Sequence, residues 1–186
     1  MAEVFYTPRA VASINFTSHV LSKYYALNNV RFYTSEHGKP YCRAPVFFSL
    51  SHTKGFSFLC VSRAECGIDA EKTDRRGDFV FIKRKLSPGE RALADTAKAE
   101  FLKIWTRREA TSKYLDMPVF SSFSRLTFQA EESGDTRTTR ADSARPVLCG
   151  KPLPVTLRTF ELVGHFVSVC LTNGETIDAV RFIENF

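Results

Sequence analysis

Three apolar runs stand too close together in the chain for helical crossovers between them, which points to largely antiparallel pairing. Residues 46–50 (VFFSL), 55–62 (GFSFLCVS) and 66–71 (CGIDAE) are separated by a few polar positions each. A parallel partner needs a crossover of roughly a dozen residues or more, usually a helix, and no such length lies between these runs. Their aromatic and β-branched content suits buried strands. The first two runs are expected to be adjacent, with Ser51-His52-Thr53-Lys54 as a polar connection.

Helical segments flank this region. Val11, Ile14, Val20, Leu21, Tyr24 and Leu27 recur at spacings near three and four, which predicts an amphipathic helix over 11–27, stopped by Asn28-Asn29. Val30 to Tyr33 reads as a short strand and 36–40 as a turn, by its Gly and Pro. Ser87, Pro88 and Glu90 spell a helix start with a capping box, and a second helix is expected over about 97–115. Residues 129–146 are rich in Arg, Thr and Ser and read as a loop or irregular hairpin. Residues 155–174 alternate as two antiparallel strands joined near Gly164. The expected class is α+β, with helix followed by strands once in each half.

Of the 186 residues, 44% are hydrophobic, enough for one core, so a single domain over 1–186 is expected. The formal charge of +6 favours anionic partners without choosing among nucleic acid, acidic membrane, phosphorylated cofactor or acidic protein. The five cysteines are odd in number and form no C-x-x-C pair, which argues against a disulfide framework or a zinc site and for reduced fillers. No apolar run approaches the length of a membrane span and the first residues lack a signal-like pattern, so a cytoplasmic, monomeric protein is expected.

Several residues have the chemistry for a site. Asp69 and Glu71 are two apart on an expected strand, so both carboxylates leave one face and can share a cation; the same pattern also describes a solvated strand face. Trp105, Glu109 and Lys113 form an i, i+4, i+8 stripe on one helix, and Glu109–Lys113 alone would also suit a surface ion pair. His52, between two apolar strands, is by itself more often a hydrogen-bonded core or loop histidine than a ligand.

Taken in order, EHGKPYC, FSLSHTKG, CGIDAEK, LSPGERAL and FLKIWTRREATSK resemble the successive motifs of the Sfp-type 4'-phosphopantetheinyl transferases, over about Arg31 to Lys113. The resemblance implies an α+β pseudo-dimer of two similar halves, about 1–65 and 66–186, each a helix on a small antiparallel sheet with the site between them. It implies transfer of 4'-phosphopantetheine from coenzyme A to a serine of an apo acyl or peptidyl carrier protein, releasing 3',5'-ADP. Asp69, Glu71 and Glu109 look like the family's ligands for magnesium, with manganese as the alternative ion. Lys39, Ser51, His52 and Arg9 look like contacts to the coenzyme's phosphates, and Lys113 like the lysine at the scissile phosphate. Glu109 is the expected base.

Carrier proteins being acidic in that family, Arg75, Arg76, Lys83 to Lys85 and Arg107-Arg108 are expected to steer docking. One departure is plain: the family's last motif continues into a glycine, whereas Tyr114-Leu115-Asp116-Met117-Pro118 follows Lys113 here, so the turn must be built differently. Two other readings remain. A relative that binds coenzyme A or carriers without transfer is opposed by the presence of all three acids and the lysine. A nucleic-acid-binding domain rests on charge alone and lacks an aromatic-basic motif.

Overall fold

The computed structural model describes residues 1–8, 13–53, 55–77, 79–130 and 142–184. In chain order the elements are β1 (Ala2–Thr7), α1 (Ser13–Tyr25), β2 (Phe32–Thr34), β3 (Pro40–Cys42), β4 (Phe47–Thr53), β5 (Phe56–Ser62) and β6 (Cys66–Lys72). There follow α2 (Val80–Lys83), α3 (Pro88–Thr96), α4 (Lys98–Tyr114) and α5 (Val119–Ser122). The chain finishes with β7 (Leu126–Ala130), β8 (Asp142–Leu148), β9 (Lys151–Pro152), β10 (Val155–Leu162), β11 (His165–Thr172) and β12 (Ile177–Phe182). No described helix is long and apolar enough to cross a membrane.

Two sheets form the body. One runs β12-β1-β5-β4, the other β6-β11-β10-β8-β7 with β9 on β8, and β2 and β3 make a separate hairpin. All described pairings are antiparallel except β1 with β12. The sheets meet face to face over a core of Val4, Phe58, Cys60, Ile68, Ala70, Val167, Val169 and Leu171. On the outer face of the first sheet α1 buries Phe16, Val20 and Leu21 against Phe5, Leu59 and Val61. On the outer face of the second, Ala110 of α4 packs with Leu157 and Cys170. The molecule is therefore an α+β stack in which each sheet carries one long helix, and β11, covered on both sides, is buried nearly throughout.

Several expectations need correction. Ser51, His52 and Thr53 belong to β4 and pair with Phe58, Ser57 and Phe56, so the connection to β5 is tighter than expected. The buried stripe of α1 runs through Phe16, Val20 and Leu21, while Ile14 (42% exposed) and Tyr24 (37%) lie outside it. Residues 129–130 and 142–146, expected as a loop or irregular hairpin, are the paired ends of an antiparallel hairpin: Gln129 faces Arg145 and Phe128 faces Pro146. Residues 131–141, the middle of that stretch, lie outside the described residues. All five cysteines are free and three are buried, but Cys149 is exposed in a left-handed turn (φ 50°) and fills no core.

Candidate active site

Alternation along β6 puts Gly67, Asp69 and Glu71 on the side facing α4, and Ile68 and Ala70 on the side facing the core. Gly67 sets the distance between strand and helix. A Cβ there would lie 2.0 Å from the carbonyl oxygen of Ala110 and 2.6 Å from the amide nitrogen of Tyr114, so only glycine lets α4 settle this close. The 105–109–113 stripe thereby comes down over the two acids.

Lys113 Nζ donates to Asp69 Oδ1 (2.8 Å) and to the Ile68 carbonyl (3.1 Å). Arg75 pairs with Glu71, to which Trp105 also hydrogen-bonds. Glu109 lies deep enough that burial, then the neighbouring charge of Asp69, pushes its carboxyl up to about 7, with Glu71 adding to the rise and Lys113 opposing it. Burial likewise raises Glu71, with Arg75 pulling the other way. The three acids thus share one electrostatic neighbourhood, with Lys113 seated on Asp69 and Arg75 on Glu71. Among the described residues, no three His, Cys, Asp or Glu side chains are grouped as a ready metal site.

The remaining motif residues converge on the free edge of β6, whose amides and carbonyls have no strand partner on that side. Ser49 Oγ accepts the Ile68 N–H (3.1 Å), and Ser51 Oγ accepts the Ala70 N–H (3.0 Å) while donating to Asp69 Oδ1 (2.9 Å). Lys39 Nζ donates to the Cys66 carbonyl (3.0 Å) and pairs with Glu65. Edge strands β4 and β6 are therefore joined through side chains in place of a backbone ladder. Ser51, expected at a phosphate, is buried with its hydroxyl committed to Asp69 and the strand.

A cleft of about 290 Å³ opens beside this edge. Its walls are the hairpin turn with Lys39, β4 with Leu50 and His52, and the end of α4 with Ser112, Lys113 and Asp116. Partial burial, then the Lys113 ammonium, holds the His52 imidazole below its ordinary range. Arg9 lies outside the described residues. Two residues that motif reading missed stand here. Ser112 is buried on the cleft wall with a hydroxyl that finds no hydrogen-bond partner among the described residues, and Asp116 reaches back to the hairpin. Neither has a local sequence signal, since a serine in a helix and an aspartate after it are ordinary.

The Arg107-Arg108 pair, expected on a docking surface, is buried. Arg108 is 1% exposed, bonds Glu90 (2.7 Å) and the carbonyls of Ser122 (2.9 Å) and Leu126 (2.7 Å), and lies against the rings of Phe123 and Phe128. Arg107 donates to Thr159 Oγ1 (3.0 Å). Arg75 is taken up by Glu71 and Phe79. Both arginines lie on the inward side of α4, so their charge anchors the helix.

These features define a class: an α+β protein with a cleft lined by Lys39, His52 and Lys113, and, behind Lys113, a neighbourhood of carboxylates able to take a proton or a cation. A family model described as the 4'-phosphopantetheinyl transferase superfamily matches residues 65–163, just over half of the chain, and the chain belongs to that superfamily. Its members transfer phosphopantetheine from coenzyme A to carrier proteins. Asp69, Glu71, Glu109 and Lys113 fall inside the matched span; Lys39, Ser51 and His52 precede it. No curated protein matches the chain.

Proposed function

We propose that this chain is an Sfp-type holo-carrier-protein synthase that binds the diphosphate of coenzyme A in the cleft between Lys39, His52 and Lys113. The observation that carries the reading is the close approach of α4 to β6 at Gly67, which seats Lys113 on Asp69 and brings the charges of Asp69 and Glu71 to bear on partly buried Glu109. All three acids are hard oxygen donors, and the raised carboxyls of Glu71 and Glu109 favour added positive charge, which suits magnesium or manganese better than a soft metal. Asp69, Glu71 and Glu109 would hold the ion, with Lys113 and Arg75 giving way toward phosphate. Bound there, the ion would neutralise charge building on the diphosphate oxygens.

The chain's own residues account for the rest. Lys39, His52 and the unpartnered Ser112 hydroxyl offer hydrogen bonds to phosphate oxygens, and Ser51 keeps Asp69 in place. The carrier serine oxygen attacks the β-phosphorus, the bond to 3',5'-ADP breaks, and the serine proton passes to Glu109. Lys113 meets the charge that appears on the departing phosphate. Exposed Arg76, Arg84 and Lys85 beside exposed Val80 and Phe81 suit an acidic carrier with an apolar contact. The same proposal covers related halves at 1–65 and 66–186, a monomer, and a cytoplasmic location.

The test is to incubate the full chain with coenzyme A, magnesium and a panel of apo carrier proteins, and weigh the carriers by mass spectrometry. A phosphopantetheine adduct on the carrier serine, lost with chelator, is expected. Coenzyme binding without an adduct on any carrier would reject transfer. For the base, Glu109→Gln with near-normal turnover and magnesium still bound would remove Glu109 from that role.

A further inference from the structure

The turn after α4 contains a residue in an uncomfortable conformation with a side chain that reaches across the molecule. Asp116 has φ 46°, a region that glycine enters freely and other residues enter rarely, Asp and Asn least unfavourably. A glycine would satisfy the backbone at lower cost, so the side chain must contribute something. Its Oδ1 accepts from Ser35 Oγ at 2.8 Å, across 81 positions of sequence. The same Ser35 oxygen accepts the Lys39 N–H (3.0 Å), and the Ser35 N–H donates to the Lys39 carbonyl (2.9 Å). A relay therefore runs from the end of the catalytic helix through one hydroxyl to the backbone of Lys39. Lys39 and Asp116 line both the 290 Å³ cleft and an adjoining one of about 210 Å³, so the relay spans the boundary between them.

We propose that Asp116 is a positioning residue for the coenzyme: through Ser35 it fixes the β2–β3 turn to the end of α4, holding Lys39 over the cleft opposite Lys113. This rests on the reading that the cleft takes coenzyme A. Two effects of removing the carboxylate have opposite signs. Its negative charge at an anion site opposes phosphate, so charge alone makes Asp116→Gly bind more tightly. Loss of the tether loosens the turn that carries the Lys39 backbone, although its ammonium keeps Glu65 and the Cys66 carbonyl, and makes the coenzyme bind more weakly. A hydrogen bond to an ionised group is strong enough for the second effect to win, by about tenfold in affinity.

The experiment uses the full chain with Asp116→Gly, Ser35→Ala, both together, and Asp116→Asn. Coenzyme A affinity is read by calorimetry and hydrogen exchange of the 35–39 amides by mass spectrometry. Expected are about tenfold weaker binding and faster turn exchange in each single variant, and no further loss in the double variant, since both remove one interaction. Asp116→Asn, whose amide oxygen accepts the same hydrogen bond and which tolerates the positive φ, restores affinity to within about threefold. Glycine suits the turn, so the Asp116→Gly melting temperature stays near that of the parent protein; should it unfold, Ser35→Ala gives the same reading without touching the helix end. Unchanged or tighter binding in Asp116→Gly, or additive losses in the double variant, overturns the proposal. A parent protein that fails to bind coenzyme A overturns the cleft assignment and the ligand role together, and exchange at 35–39 then shows whether the tether itself exists.

Discussion

At the scale of single residues, the site depends on one missing methyl group and one uncomfortable carboxyl. Gly67→Ala would drive a Cβ into the backbone of α4 at 2.0 Å. The helix must retreat, with an expected cost of about 2–4 kcal/mol in urea denaturation and about a hundredfold lower turnover, because Glu109 and Lys113 retreat with it. Glu109 acts in the opposite sense on stability. Its folded carboxyl titrates near 7 against an ordinary 4.5, so in metal-free protein the fold takes up a proton that the unfolded chain does not, and stability is lost as pH rises through that window. Glu109→Gln in chelator should therefore raise the unfolding free energy at pH 8 by on the order of 1 kcal/mol in urea titration, and change it little at pH 5. Asp69 and Glu71 could be assigned to one face of a strand by alternation alone. Their meeting with Glu109 could not, because nothing local says which helix crosses β6; the order of the motifs supplied that link. The Ser35–Asp116 contact, between two ordinary residues in turns, had no signal at all.

At the scale of elements, α3 and α4 are locked by a buried ion pair that reads in sequence as surface charge. Ser87 caps α3 and Glu90 completes the capping box, as the S-P-G-E spelling predicts, yet Glu90 also receives Arg108. Arg108→Met leaves Glu90 7% exposed without its cation, with an expected loss of about 3–5 kcal/mol in denaturant titration. The sequence obscured this because a pair of arginines in a polar helix looks solvated until tertiary partners are known. Strands β7 and β8 were hidden for a related reason: Arg145 and Pro146 mask alternation that only the register of Phe128 against Pro146 exposes. By contrast β4 and β5 were legible as a hairpin, since their short connection allows only an antiparallel pairing, whereas the pairing of β6 with β11, far along the chain, could not be read from spacing. On α2, Phe81 (68% exposed) with Arg84 and Lys85 predicts a separable effect. Reversing both charges should raise the KM for carrier protein severalfold, leave that for coenzyme A unchanged, and steepen with falling salt.

At the scale of the whole molecule, two sheets are held together by an apolar layer and a few polar ties. His165, 1% exposed, faces Thr53 Oγ1 (2.9 Å) and the Val163 carbonyl (2.9 Å) with Phe56 and Phe58 against its ring, joining the start of β11 to the β4–β5 turn. Burial lowers its pKa, so the stability it contributes is present above about 6.5 and is lost as pH falls below that value. Because Glu109 acts with the opposite sign over the same range, the readout is the difference between proteins: on going from pH 7 to 5 the urea midpoint of His165→Gln should fall less, or rise more, than that of the parent. The other tie, the hydroxyls and ammonium groups along β6, bears on solubility. An uncovered strand at the margin of a sheet is a template on which foreign strands polymerise. Here Ser49, Ser51, Lys39 and Lys113 occupy those outward amides and carbonyls, so the strand that carries the acids is also sealed against fibrous self-association.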